Sequence, residues 1–225
     1  MYSKEELYDL IIELTDQLTI IKTNKSILEQ IISFRKNNQN FEYVTNHSNT
    51  FWIITINNIK NEVITGLARL YDEHSDAFSL NKIINICEQH QKLFLEPTPM
   101  PLYQDWEERN TTTPMCIIKQ LKDRYLETVA ERQKLKSIRD KAYSHLDRQY
   151  IFNPSSLFEN FSWDVVEKLI DVAEFILTHI LIALYNMTSL FVLADHDDVE
   201  YLMKISAYGY ERKKNERHRR FSAEE

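Results

Sequence analysis

Apolar residues recur along this chain at spacings of three and four, the period of an α-helix with one buried face. Leu7, Leu10, Ile11, Leu14, Leu18 and Ile21 make the first such stripe. Ser3 and Glu6 precede it in the order of a capping box, where each side chain takes an orphan backbone N–H near the other. The pattern predicts a helix to about Arg35, followed by a polar loop, Lys36-Asn37-Asn38-Gln39-Asn40. A second helix is expected from near Ser48 to about His74, burying Trp52, Ile56, Ile59, Val63, Leu67 and Leu70. A third runs from Ser79 to near Leu95.

Pro97-Thr98-Pro99-Met100-Pro101 stops any helix, since each proline removes a donor and restricts the residue before it. The irregular stretch is expected to last to about Thr113. Pro114 then suits the first position of a helix. The fourth helix is read as long and charged, from Pro114 to roughly Gln149, with Asn153-Pro154-Ser155-Ser156 after it. Ser162 caps a fifth, from Trp163 to about Met187, and a last helix begins near Asp197 and reaches the basic tail at Arg220. The fold class that follows is all-α, an antiparallel bundle of about six helices. The expected organisation is one domain over 1–225 with a helical tail at 197–225.

Composition supports this reading. Only 2 glycines occur in 225 residues, too few for the positive-φ turns of a sheet protein. The most apolar stretch, Leu169 to Leu184, carries Asp171, Glu174 and His179, which marks a core helix rather than a membrane span. Met1 and Tyr2 are followed by Ser3-Lys4-Glu5-Glu6 instead of an apolar run, so a cytoplasmic protein without membrane attachment is expected. Cys87 and Cys116 lack metal-site spacing and are read as reduced core thiols. Trp52, Trp106 and Trp163 are read as core or interface anchors.

Charge is uneven. The net charge is −7, yet Lys119–Arg148 holds nine Lys/Arg against five Asp/Glu, a local +4. The last fifteen residues carry six against four, a local +2. An acidic body with two basic segments can present a phosphate-binding face, and it can equally present two solvated helix faces.

No Gly-rich phosphate loop, HExxH or GxSxG is present, which removes the commonest NTPase, zinc-protease and α/β-hydrolase readings. What remains is Arg139-Asp140-Lys141-Ala142-Tyr143-Ser144-His145. Histidine titrates near neutral pH and moves protons. Arginine keeps its charge and forks onto phosphate oxygens. Together they suit RNA cleavage without a metal or any other cofactor, with Asp140 orienting one of the pair. The spacing alone is unselective, because Arg69 to His74 and Arg212 to His218 have similar spacings. On a straight helix Arg139 and His145 would stand about 9 Å apart in rise and roughly 120° apart around the axis. A bent helix end, side-chain reach or a second copy across a two-fold axis is needed to bring such groups to one phosphate. The plain alternative is a surface ion pair beside an ordinary histidine.

These residues resemble the HEPN superfamily. Within it, Phe51-Trp52 through Leu67-Ala68-Arg69-Leu70-Tyr71-Asp72, with Arg139 through Asp147, resembles abortive-infection proteins of the AbiU type over roughly residues 45–190. The resemblance implies an all-α homodimer whose motif helices line a cleft at the two-fold. It also implies an endoribonuclease of bacterial phage defence or a toxin system, acting on RNA, with an antitoxin or defence-system partner. Arg139 and His145 would be its catalytic pair and Asp140 their support. Beside them, Lys141, Ser144, Lys136 and Arg69 are expected to bind substrate. Asp147 stands where one toxin branch has a tyrosine two residues after the histidine. The competing expectation is a non-catalytic helical module that binds RNA or docks a protein in a defence complex.

Overall fold

The computed structural model describes residues 2–37, 49–74, 76–94, 114–140 and 162–185, with Tyr201, Lys204, Ile205, Tyr208, Gly209 and Arg212 in the tail. Its elements are α1 (Lys4–Asn37), α2 (Asn49–Leu70), α3 (Leu80–Gln89), a 3-10 turn (Gln91–Phe94), α4 (Pro114–Leu126), α5 (Val129–Ile138) and α6 (Trp163–Tyr185). No strand occurs among the described residues, and the protein is all-α. The six described residues of the tail are helical. The proline-rich stretch 97–101, Trp106 and the break at 153–156 lie outside the described residues.

α1 begins on the capping box that its sequence announces. The Ser3 N–H donates to Glu6 Oε2 at 2.8 Å, and the Glu6 N–H donates to Ser3 Oγ at 3.1 Å. Leu7, Ile11, Leu14, Leu18 and Ile21 are buried, as the stripe requires.

Two compact units make up the chain, one of residues 1–21 and 64–192, the other of residues 22–63 and 193–225. In the second, Trp52, Ile56 and Ile59 of α2 and Ile27 and Phe34 of α1 pack around Ile31. In the first, α4 packs against α3 and α6, and α5 packs against α6. α6 is the centre of this unit: twelve of its 23 residues are buried, Ala173 and Leu177 completely. Asp171, Glu174 and His179 avoid those buried positions. Among the described residues no helix is long and apolar enough to cross a membrane.

The described part of the fourth helix expected from the sequence holds two helices, and its expected continuation to Gln149 lies outside the described residues. α4 stops at Leu126 and α5 starts at Val129. The break falls at Thr128, whose side chain is buried and whose Oγ1 donates to the Tyr125 carbonyl at 2.7 Å. The Thr128 N–H also turns back to Tyr125, at 3.2 Å. Both bonds reach the carbonyl three residues back, where a continuing α-helix would use the fourth, and a threonine hydroxyl competing for a backbone acceptor weakens the ladder there. Cys116 also departs from expectation. It is exposed in the first turns of α4, while Cys87 is the buried thiol.

Gly66 lies in α2 where the chain meets α1. A Cβ there would stand 2.8 Å from Ile21 Cγ1. Removing glycine from a helix interior gains about 1 kcal/mol, but overpacking costs about 1–3 kcal/mol. Cγ1 is an inner side-chain atom with little room to give, so packing wins. Gly66→Ala is expected to lower stability by about 0–2 kcal/mol in thermal or urea melts.

The same unit buries groups that resist ionisation. Loss of water around the Tyr71 hydroxyl pushes its pKa well above the usual tyrosine value. Burial likewise raises the Cys87 thiol and the Tyr125 hydroxyl, each to about 12. A raised folded-state pKa contributes stability that is complete below the unfolded value and is lost above it. Unfolding free energy is therefore expected to hold to about pH 9 and to fall by about 2–4 kcal/mol by pH 11, from Cys87 and Tyr71 together. Urea melts from pH 7 to 11 measure this, and a flat profile would contradict it.

Candidate functional site

The site grows from the end of α2. Past Leu70 the chain leaves the helix through Tyr71, Asp72, Glu73 and His74. The Tyr71 ring is buried and stacks on Tyr125 of α4, with centroids 5.9 Å apart. Its hydroxyl donates to the Leu169 carbonyl of α6 at 2.6 Å. That anchor holds the following residues against α4 and α5. Asp72 then makes an Asx turn, its Oδ1 accepting the His74 N–H at 3.0 Å. Its other oxygen, Oδ2, stays available for a partner from elsewhere.

That partner is Arg139. Its Nη1 lies 3.4 Å from Asp72 Oδ2, and its Nε donates to Asp140 Oδ1 at 2.9 Å. Two half-buried carboxylates thus hold the guanidinium from two sides. Arg139 is the C-terminal cap of α5, and its N–H reaches the carbonyls of both Leu135 and Lys136. Residues 139–140 form a widened π-type turn. Such turns re-aim side chains and recur at functional sites.

α5 itself is fixed to α6 by Lys168, whose Nζ donates to Glu131 Oε1 at 2.7 Å. This bond is the main reason that the Glu131 carboxyl titrates below its usual range.

The loop after α2 and the exposed side of α5 enclose a cleft of about 720 Å3. Asp72, Glu73 and His74 line one wall, and Arg132, Lys136 and Arg139 line the other. Mixed charge of this kind offers cations for an anion, with a histidine opposite them. No group of three His, Cys, Asp or Glu side chains among the described residues is placed to hold a metal ion.

Of the candidates named from sequence, Arg139, Asp140 and Lys136 come together here. Arg69 is exposed on α2 and does not line the cleft. Asp72, three residues after Arg69, pairs with Arg139. His145, Lys141 and Ser144 lie outside the described residues. Glu73, His74 and Arg132 are cleft residues that motif reasoning passed over. The spacing Arg132, Lys136, Arg139, which is i, i+4, i+7 on a helix, was the signal that could have found Arg132.

An all-α chain with an Arg-Asp pair at the mouth of a cleft, late in the helix order, has the features of a HEPN-type protein. Residues 4–204 match the family model HEPN AbiU2. The chain therefore belongs to the AbiU2 family of HEPN abortive-infection proteins, and the match includes α1. No curated protein and no solved structure matches the chain.

Proposed function

We propose that this AbiU2 protein is a metal-independent endoribonuclease of phage defence, with Arg139 and His145 as its catalytic pair. The observation that carries the reading is the placement of Arg139 in a cleft beside Lys136, oriented by Asp72 and Asp140. A guanidinium held by carboxylates on two sides has few rotamers left to lose when a phosphate arrives. In the reaction the RNA 2′-hydroxyl attacks the adjacent phosphorus and the 5′-oxygen leaves. His145 takes the 2′-hydroxyl proton, or returns a proton to the 5′-oxygen. Arg139 stabilises the extra negative charge on the phosphoryl oxygens. Products are a 2′,3′-cyclic phosphate and a free 5′-hydroxyl, so no water or redox partner is consumed. A homodimer would bring two copies of the motif together across a two-fold axis.

The test is incubation of purified protein with single-stranded RNA in EDTA, with the ends of the products identified. Cleavage to cyclic-phosphate ends that is lost in His145→Ala is the expected result. Absent cleavage, or equal cleavage by the variant, ends the enzyme reading. The second reading is a non-cleaving RNA-binding module. It draws on the two carboxylates that already satisfy Arg139, and it predicts RNA binding without products.

A further inference from the structure

Seven residues before Arg139, on the same side of α5, stands a second arginine whose bonding is incomplete. The Arg132 side chain is 9% exposed. Its guanidinium lies over the Tyr125 ring, 4.0 Å from the centroid, and Nη1 donates to the Tyr125 hydroxyl at 3.0 Å. Nη1 also contacts the Glu73 carboxylate. Nε is buried with no hydrogen-bond partner. A buried arginine N–H without an acceptor is costly and calls for a reason.

Glu73 supplies a contrast. Its side chain is 65% exposed, and it sits on the short segment after α2. The cation is held rigidly by an aromatic face and a hydroxyl, while its anion hangs from a solvated stem. A carboxylate and a phosphate offer an arginine fork the same pair of oxygens, and phosphate brings more charge. Arg132, Lys136 and Arg139 all line the cleft at helical spacing, so a polyanion following this face of α5 meets three cations in turn.

We propose that Arg132 is a second phosphate-binding residue of this cleft, and that Glu73 is an internal carboxylate that occupies it until a nucleic-acid phosphate takes its place. The substrate phosphate on Arg132 is a neighbour of the one on Arg139 and does not react. Arg132 therefore positions the strand, and Glu73 competes with it. This inference rests on the proposed reading of the cleft as an RNA site, but it concerns binding rather than cleavage.

Because Arg132 is buried against Tyr125, its replacement could unfold the unit, so the test acts on Glu73. Affinity for a fluorescent single-stranded 2′-O-methyl RNA, which cannot be cleaved through its 2′-oxygen, is measured by anisotropy for the whole chain. Glu73→Ala is compared with the parent and with Glu88→Ala. Glu88 pairs with Lys122 at 2.5 Å away from the cleft, so its loss makes the same change in net charge. Glu73→Ala is expected to bind about three- to tenfold tighter than both, because the phosphate no longer has to displace a carboxylate from Arg132. Equal tightening by Glu88→Ala overturns the proposal, since only global charge would then matter. Unchanged or weaker binding by Glu73→Ala overturns it too, as does a parent and variant that both fail to bind. Tighter binding without any RNA cleavage by the parent would retain this proposal and remove the nuclease. Cleavage by the parent with no effect of Glu73→Ala would do the reverse.

Discussion

Arg139→Ala is expected to lower the single-turnover rate of RNA cleavage by about 10²–10³-fold, the usual loss when one oriented donor to a developing oxyanion is removed. The fold should survive the change. Arg139, Asp72 and Asp140 keep side-chain exposures of 29%, 33% and 35%, so the stranded carboxylates regain water. Ion pairs this accessible are worth about 1 kcal/mol or less. An unchanged melting temperature beside a large rate loss therefore separates chemistry from stability. Arg139→Lys should recover little, because an ammonium cannot bond Asp72, Asp140 and a phosphate through one planar fork. Asp72→Asn should fall between: it keeps the shape and the Asx turn but weakens the hold on Nη1. A rate in Arg139→Ala within about threefold of the parent would contradict the role given to this arginine.

Leu177→Ala is expected to cost about 2–5 kcal/mol, the largest stability effect of any single change considered for the chain. Leu177 is 0% exposed at the middle of α6, the helix against which α4 and α5 both pack. Truncation loses the transfer energy of the removed methyls and leaves a void that rigid neighbours fill only in part. In a chain of this size the melting temperature should drop by roughly 5–15 °C. Leu177→Met keeps the volume and should cost less than about 1.5 kcal/mol. Near-equal melting of the two variants would show that α6 is not the tightly packed centre of its unit. α5 forms one wall of the cleft and rests on α6, so Leu177→Ala should also weaken RNA binding near its melting temperature. That effect should vanish on cooling, unlike the loss in Arg139→Ala.

Much of the fold was legible because its determinants are local. The capping box needs only Ser3 and Glu6, three residues apart, and both of its hydrogen bonds form. Pro114 opens α4 because its missing N–H costs nothing at a first helical position. The α1 stripe depends on a period of 3.6 residues that any solvent-facing helix must obey. Thr128 shows where such reasoning stops. In sequence it is one threonine in a charged run of good helix formers. Its hydroxyl and its N–H both turn to the Tyr125 carbonyl three residues back, and its complete burial follows from packing that no local pattern announces.

The candidate site divides in the same way. Arg139, Asp140 and Lys136 could be named from sequence, since residue type and helical spacing carry that information. Asp72 could not be assigned as the partner of Arg139, because 67 residues separate them. Glu73 and Arg132 were equally hidden, being 59 residues apart.

The sequence by itself determined an all-α chain, where several of its helices start, which faces are apolar, and the chemistry an arginine-histidine pair would suit. Only the tertiary structure decided that the fourth helix breaks at Thr128, that the loop after α2 is the opposite wall of the cleft, and that carboxylates rather than solvent hold the two arginines. The physical reason is range. Caps, breakers and periodicity act within about one or two helical turns, whereas burial and ion pairing depend on which distant segments packing brings together.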